Sequence, residues 1–144
     1  MSSDAVPPSE PERPEPPEDD PRESAYELLQ RGTALIARRH HAQAAVVLER
    51  AARLEPGKGS ILEPLGRAYF NSGQHARAAV AFEALVEVDP SSHYGHYALA
   101  QSLKRLGRFS EARTHLRLAV ALAPESALYR NALARVPGAD APEA

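Results

Sequence analysis

The sequence predicts an all-α protein built as a solenoid of stacked helical hairpins. Three observations indicate this fold: an internal repeat of 34 residues, two apolar stripes with helical spacing in each repeat, and turn-forming residues between the stripes. One hairpin cannot bury its apolar face alone, so successive hairpins must stack into a continuous core. The 144 residues are enough for one domain of this kind.

The chain opens with an acidic, proline-rich segment, residues 1–22. This segment holds seven of the thirteen prolines, seven acidic residues and two arginines, and almost no large apolar residue. Such a composition cannot offset the entropy lost on ordering, so we expect disorder with some polyproline II character. The segment also lacks the apolar core of a signal peptide. We expect disorder at the C-terminal stretch 137–144 for the same compositional reason.

Three segments align without a gap: 32–56, 66–90 and 100–124. Five kinds of position recur among them at steps of 34 residues, which is too many for coincidence. They are a small residue (Gly32, Gly66, Ala100), a larger apolar residue (Leu35, Tyr69, Leu103), an alanine (Ala44, Ala78, Ala112), a second large apolar residue (Leu48, Phe82, Leu116) and a closing proline (Pro56, Pro90, Pro124).

The second repeat gives the clearest view of two helices joined by a turn. One apolar stripe over 62–70 has the 3.6-residue period of a helix, and a second stripe follows over 78–86. An Asn-Ser-Gly turn separates them, in which Gly73 is free to adopt the left-handed conformation of a helix C-terminus. An Asp-Pro pair at 89–90 ends the second helix.

The first helix of this repeat has a candidate start signal. Ser60 followed by Glu63 resembles a capping box, in which each side chain satisfies a free backbone N–H of the other residue. A start at Ser60 would place Pro64 at the end of the first turn, where a missing N–H costs least.

Small residues are expected where the two helices of a hairpin approach. Gly66 and Ala78 remove side-chain bulk at the contact, while Tyr69 and Phe82 fill the space beside them. A larger side chain at either small position would overpack the contact, at a cost of roughly 1–3 kcal/mol.

This pattern resembles the tetratricopeptide repeat family. The period, the two small positions, the large apolar residue and the closing proline fall in the family's order over about residues 25–126. The resemblance implies a right-handed solenoid over 23–136, and a lone last helix whose Leu128, Leu133 and Val136 cover the final apolar face. The implied units are repeats at about 25–58, 59–92 and 93–126 and a capping helix at 127–136.

Repeat one departs from the family pattern at two positions. Arg31 stands where the family has a leucine in its first helix, and Arg39 stands where Gly73 and Gly107 supply the turn glycine. We therefore expect a looser turn in repeat one.

The residue types offer little catalytic or metal-binding chemistry. The chain has no cysteine, and no nucleophile elbow, dinucleotide or phosphate-loop motif occurs. His93 and His96 have a usable metal-ligand spacing, but no third ligand is placed to complete a site, so we expect packing roles for them. We predict no enzymatic activity, no cofactor and no metal. No apolar run is long enough for a membrane span, and a cytoplasmic protein is expected.

The family resemblance implies a concave groove lined by the first helix of each repeat. Repeat position implies these groove residues: Tyr26, Leu29, Thr33, Ile36 and Ala37 from repeat one; Ser60, Glu63, Arg67, Phe70 and Asn71 from repeat two; Tyr94, Tyr97, Gln101, Lys104 and Arg105 from repeat three; and Asn131 and Arg135 from the last helix. This wall would carry aromatic and apolar residues at one end and four cations at the other. Tyrosine and arginine are frequent interface anchors, so we predict a protein-interaction module that binds an acidic peptide or helix with apolar anchors.

Two other functions stay open on the sequence. A self-associating structural protein would use a solenoid end or the groove. An RNA-binding helical repeat is less favoured, because residues 23–144 carry 15 basic and 12 acidic residues, a small excess for binding dominated by phosphate contacts.

Two narrower points concern the partner. The groove positions at which some family members clamp a C-terminal carboxylate hold Leu29, Thr33, Pro64, Tyr94 and Ala98 here, so a chaperone adaptor of that type is not expected. The acidic segment 1–22 could fold back and screen a cationic groove, or act only as a passive solubilising tail.

Overall fold

The computed structural model describes residues 23–138, and the prediction of an all-α fold is confirmed there. The disorder predicted for 1–22 and for most of 137–144 falls outside the described residues. Seven α-helices and no strand occupy the described part of the chain. They are α1 (Ala25–Ala37), α2 (His41–Leu54), α3 (Gly59–Asn71), α4 (His75–Val88), α5 (His93–Arg105), α6 (Phe109–Leu122) and α7 (Ala127–Ala134).

The helices form three hairpins and a final single helix. The hairpins start at Ala25, Gly59 and His93, which are 34 residues apart, and each has a first helix of 13 residues and a second of 14. Every helix packs against the helices before and after it, and α1 also contacts α3. Because each hairpin rests on the next, the first helices α1, α3 and α5 follow one another along the solenoid, and α7 continues the series.

All three hairpins turn in the same way, including the one without glycine. In repeat two, Gly73 N–H donates to the Phe70 carbonyl and Gln74 N–H to the Tyr69 carbonyl, at 3.0 and 2.8 Å. Repeats one and three make the matching pair of bonds at 2.8–3.0 Å, which is the Schellman pattern of a helix C-terminus. Arg39 takes the left-handed conformation at φ 63°, close to the 83° of Gly73. The expected looser turn is therefore wrong, because repeat one keeps its turn hydrogen bonds and holds an arginine in a strained conformation.

The close approach of the two helices in a hairpin is confirmed. A Cβ atom on Gly66 would lie 2.5–2.8 Å from three ring atoms of Phe82, which is 1% exposed. In repeat one, a Cβ on Gly32 would meet Leu48 at the same closest distance of 2.5 Å. The small residues at these repeat positions thus create the space that the large apolar residue of the second helix fills.

The predicted capping box of α3 is wrong. The N-cap residue is Lys58, no side chain caps this helix, and Ser60 lies inside it. Pro64 is consequently the sixth helical residue, and the Ser60 carbonyl loses the N–H it would otherwise bind. A capping box does form in repeat one, where Ser24 and Glu27 exchange backbone hydrogen bonds of 2.9 and 3.1 Å.

The end of the core is covered by Leu133 and Val136, as predicted, and by Tyr129 and Ala132 instead of Leu128. Leu128 is 57% exposed, whereas Tyr129, Ala132 and Val136 are buried and Leu133 is half-buried. Tyr129 also bonds His93 across the loop between hairpin three and α7, with its hydroxyl 2.8 Å from His93 Nδ1. The aromatic side chain therefore replaces Leu128 as the residue that fixes α7.

Polar contacts also join the hairpins. Tyr69 of α3 donates a hydrogen bond to the Glu49 carboxylate of α2, and Arg77 of α4 lies 3.8 Å from the same carboxylate. Burial and this carboxylate raise the pKa of the Tyr69 hydroxyl well above its usual value, so the hydroxyl remains a donor. Repeats one and two are thus fixed to each other by a directional bond as well as by apolar packing.

Candidate functional site

An open cavity lies between the first helices of repeats two and three. Its volume is about 220 Å³, and we call it the aromatic cavity. The helices α3 and α5 supply most of its wall, and Phe82 of α4 reaches it past Gly66. Its lining residues are Arg67, Phe70, Asn71, Phe82, Tyr94, Tyr97, Ala98 and Gln101.

Aromatic rings run from this cavity toward the end of the solenoid. The ring centres of Phe82 and Tyr94 are 6.4 Å apart, edge to face, and those of Tyr94 and Tyr97 are 6.3 Å apart. Tyr97 in turn packs against Tyr129 of α7, with ring centres 5.1 Å apart. These separations fall in the range of favourable aromatic pairs, so the tyrosines of the cavity hold one another in place.

Polar groups border the rings. Burial raises the pKa of the Tyr94 hydroxyl above its usual value and nearby Arg67 opposes the shift, so the hydroxyl is a donor at neutral pH. The Arg105 guanidinium lies 5.4 Å from the centre of the Phe70 ring, within cation–π range. Gln101 lines the same cavity, and its Oε1 is fully buried without a hydrogen-bond partner among residues 23–138.

Six of the seventeen residues predicted from repeat position line this cavity together: Arg67, Phe70, Asn71, Tyr94, Tyr97 and Gln101. Arg105 lies over the ring of Phe70, which lines the cavity. The charge of half-buried Glu63 contributes to the raised pKa of Tyr94. The predicted separation of aromatic residues from cations is wrong, because Arg105 lies over the Phe70 ring and Arg67 lines the same cavity as the tyrosines. We call the surface formed by α1, α3, α5 and α7 the groove.

The other predicted residues lie outside the aromatic cavity. On α1, half-buried Leu29 packs against the core, the Thr33 hydroxyl bonds to carbonyls of its own helix, and Tyr26 is 66% exposed. Lys104 is half-buried on α5, and Asn131 and Arg135 are exposed at the end of the solenoid. The structure therefore concentrates the apolar part of the predicted groove between repeats two and three.

A second cavity adjoins the first, beside the turn of repeat one. It has a volume of about 550 Å³, and we call it the turn-one cavity; it is lined by Ile36, Ala37, Arg39, His41, Arg67 and Asn71. Arg67 and Asn71 line both cavities, so the two spaces meet along the C-terminal half of α3. Neither Arg39 nor His41 is among the residues predicted to line the groove. The signal that could have found Arg39 is a charged residue where the other two repeats carry glycine.

Four of the six histidines make contacts with other residues of the protein. His93 bonds Tyr129, while His96 Nε2 lies 2.9 Å from the Pro90 carbonyl and its Nδ1 lies 3.0 Å from Nδ1 of His115. His75 packs edge-on against Phe70. Over residues 23–138, no group of three or more histidine, aspartate or glutamate side chains is arranged to hold a metal ion. In the same range, no helix has the length and hydropathy to cross a membrane.

A family model described as tetratricopeptide repeat matches the chain in three overlapping stretches, residues 29–93, 63–127 and 97–136. The chain belongs to the tetratricopeptide repeat family. Members of this family are typically non-catalytic modules that contact other proteins or peptides. The mouse Superkiller complex protein 3 is a curated relative, 32% identical over 92 residues. Those residues are 64% of this chain but 6% of the length of the mouse protein.

Several solved structures share the tetratricopeptide fold. The first repeat domain of Spaghetti (RPAP3), solved with the HSP90 peptide SRMEEVD, superposes with a TM-score of 0.74 at 17% identity, over 78% of this chain and 90% of that domain. YrrB, a repeat protein with an unusual peptide-binding site, gives 0.72 at 23% identity, over 76% and 57% of the two chains. MamA from Desulfovibrio magneticus gives 0.75 at 22% identity, over 79% and 64%. At these identities the likeness concerns the fold alone.

Proposed function

We propose that this chain is a protein-interaction module that holds a segment of another protein in its groove. The segment that suits the groove is acidic and carries apolar anchor residues. The aromatic cavity supports this proposal most directly, because it combines half-buried tyrosine and phenylalanine side chains with a guanidinium. Aromatic residues and arginine in one recess are the usual composition of an interface centre.

The size of the aromatic cavity suggests how a segment would bind. A volume of about 220 Å³ accommodates one large apolar side chain and is too small for a whole cofactor. Arg67, which lines the cavity, and Arg105, which lies over the Phe70 ring, can bind carboxylates beside the anchor. A single anchor residue between acidic neighbours is therefore the simplest ligand for this site.

The peptide of the RPAP3 structure is not a good guide to the ligand of this chain. The positions expected to clamp a terminal carboxylate hold no lysine, arginine or asparagine here. Two of them, Pro64 and Ala98, are buried, and the Thr33 hydroxyl is already bonded to its own helix. We expect an internal segment to bind.

The test is a random-peptide display selection against the full chain, followed by titration of the selected peptides against variants. Tyr97→Ala should weaken binding at least about tenfold, as should the double reversal Arg67→Glu with Arg105→Glu. Arg117→Glu is the matched control, because this exposed arginine of α6 lies outside both cavities and its reversal should leave affinity unchanged. Each variant is melted first to verify its fold. Peptides that bind all variants equally would place the site elsewhere.

Self-association is a second candidate, supported by apolar side chains on the second helices. Leu54, Val88 and Leu122 occupy the same repeat position and are 41–55% exposed, and Val46, Val80 and Leu118 are exposed beside them. Exposed aliphatic side chains at one repeat position suit contact with another protein surface. Sedimentation of the chain across a concentration series distinguishes this role, since a groove-binding monomer would keep a constant sedimentation coefficient.

A further inference from the structure

The turn-one cavity adds a second arginine, Arg39, to the Arg67 that also lines the aromatic cavity. We propose that it is an anion subsite that binds a carboxylate or phosphoryl group carried by the segment in the groove. The identity of the ligand as part of a protein segment rests on the proposed function, whereas the affinity of the cavity for an anion does not.

Residues that line the turn-one cavity supply hydrogen-bond donors for an anion. Arg39 comes from the turn and Arg67 from α3, and neither makes an ion pair within residues 23–138. A guanidinium presents paired N–H groups that match the oxygens of a carboxylate or phosphoryl group. The Asn71 amide and the His41 ring border the same space and add two further polar groups. Two like charges on one cavity repel each other, and a bound anion would remove that repulsion.

The backbone at Arg39 is the second observation. The equivalent residues of the other two turns are Gly73 and Gly107, which take a positive φ without steric cost, whereas Arg39 takes φ 63° with a side chain attached. All three turns make the same hydrogen bonds, so the arginine gains nothing for the turn itself. Arg39 is also one of the residues that line the turn-one cavity. A strained conformation that a single change to glycine would relieve points to a use for the side chain.

The helix ends do not cancel this charge. The C-termini of α1 and α3 border the cavity, and the C-terminal end of a helix carries a partial negative charge of about one half. The capping N–H groups at residues 38–40 and 72–74 already bind the last carbonyls of both helices. Two full positive charges from Arg39 and Arg67 therefore outweigh the remaining partial charges, and the cavity is attractive to anions.

The shared wall of the two cavities sets the order of groups on the ligand. Arg67 and Asn71 belong to both spaces, so an anion in the turn-one cavity lies next to an anchor in the aromatic cavity. A segment with an acidic or phosphorylated residue close in sequence to a large apolar residue fills both.

The experiment titrates the full chain with inorganic phosphate and, separately, with acetate at constant ionic strength, followed by backbone amide NMR. We expect saturable shifts confined to residues 38–41 and 67–71. Arg39→Gly and Arg67→Gln should each lower the affinity for the more tightly bound of the two anions roughly tenfold, because each removes one charge-assisted contact. Arg38→Gln is the matched control, since this exposed arginine of the same turn does not line the cavity. Tighter phosphate binding would identify a phosphoryl ligand, and tighter acetate binding a carboxylate.

Shifts spread over exposed arginines elsewhere, or affinity unchanged in Arg39→Gly, would overturn the anion subsite. The result can be separated from the proposed function. If display-selected peptides bind the parent and Arg39→Gly equally, the turn-one cavity does not bind an anion of the peptide, and the proposal of peptide binding in the groove still holds. If phosphate or acetate binds saturably but the display selection yields no binding peptide, the anion subsite is established and the proposed function is contradicted.

Discussion

His96 of α5 and His115 of α6 meet with their Nδ1 atoms 3.0 Å apart and their rings stacked at 5.3 Å. The Nε2 of His96 lies 2.9 Å from the Pro90 carbonyl and therefore carries a proton, so His96 Nδ1 is the acceptor and His115 Nδ1 the donor. The pair can share one proton between the facing nitrogens but not two. Two residues that the sequence separates by nineteen positions thus form one polar contact between the helices of hairpin three.

The first prediction is a loss of stability at mildly acidic pH. Burial, and then the neighbouring His96, lower the pKa of His115 below its ordinary value of 6.5, while Glu111 and Glu83 oppose the shift. The unfolded chain therefore binds a proton near pH 6.5 that the folded chain accepts only at lower pH. This contribution is fully present above pH 6.5 and is lost as the pH falls below it. Comparing the urea midpoints of the parent and of His115→Gln between pH 5 and 8 isolates the contribution of His115 to the pH dependence of stability. Equal slopes in the two proteins would contradict the assignment.

The second prediction concerns the strained turn. Arg39→Gly should raise the free energy of unfolding by about 0.5–1 kcal/mol, because glycine removes the left-handed strain but adds entropy to the unfolded chain. The opposite change, Gly73→Arg in the unstrained turn of repeat two, should lower it by a similar amount. Denaturant midpoints at unchanged m-value measure both. An Arg39→Gly protein less stable than its parent would show that the arginine side chain stabilises the fold itself.

The third prediction tests the contact between the helices of a hairpin. Gly66→Ala should destabilise the protein by roughly 1–3 kcal/mol, because the new Cβ would lie 2.5 Å from the Phe82 ring. The sign of this change in stability is informative, since a glycine-to-alanine change in an uncrowded helix would instead stabilise the protein by about 1 kcal/mol. Adding Phe82→Leu supplies room at Cβ and should recover part of the loss. Absence of any recovery in the double variant would mean that the ring is not the obstacle.

The fourth prediction concerns the attachment of α7. Tyr129→Phe should cost about 1 kcal/mol through the lost bond to His93, and Tyr129→Ala about 3 kcal/mol through the lost ring as well. Leu128→Ala is the control, because an exposed leucine contributes little. Thermal melting of the three variants gives the order. A larger effect at Leu128 than at Tyr129 would restore the sequence-based assignment of the capping residue.

The repeat plan could be predicted because it depends on local and periodic information. The 34-residue spacing, the apolar stripes and the glycine turns each act over a few residues, and three copies reinforce the signal. The capping box of α3 was misplaced because Ser60 and Lys58 are both compatible with a helix start, and packing of the hairpin decides between them. Repeat position also gave the six predicted residues that line the aromatic cavity.

The sequence by itself determined which segments would be helical and where the hairpins would turn, because both follow from spacing along the chain. Only the tertiary structure decided that Phe82 would enter the aromatic cavity past Gly66, that Arg39 would share a cavity with Arg67, and that His96 would meet His115. These relationships join residues on different helices. They depend on how each helix is rotated and spaced against its neighbour, which close packing of the whole solenoid fixes.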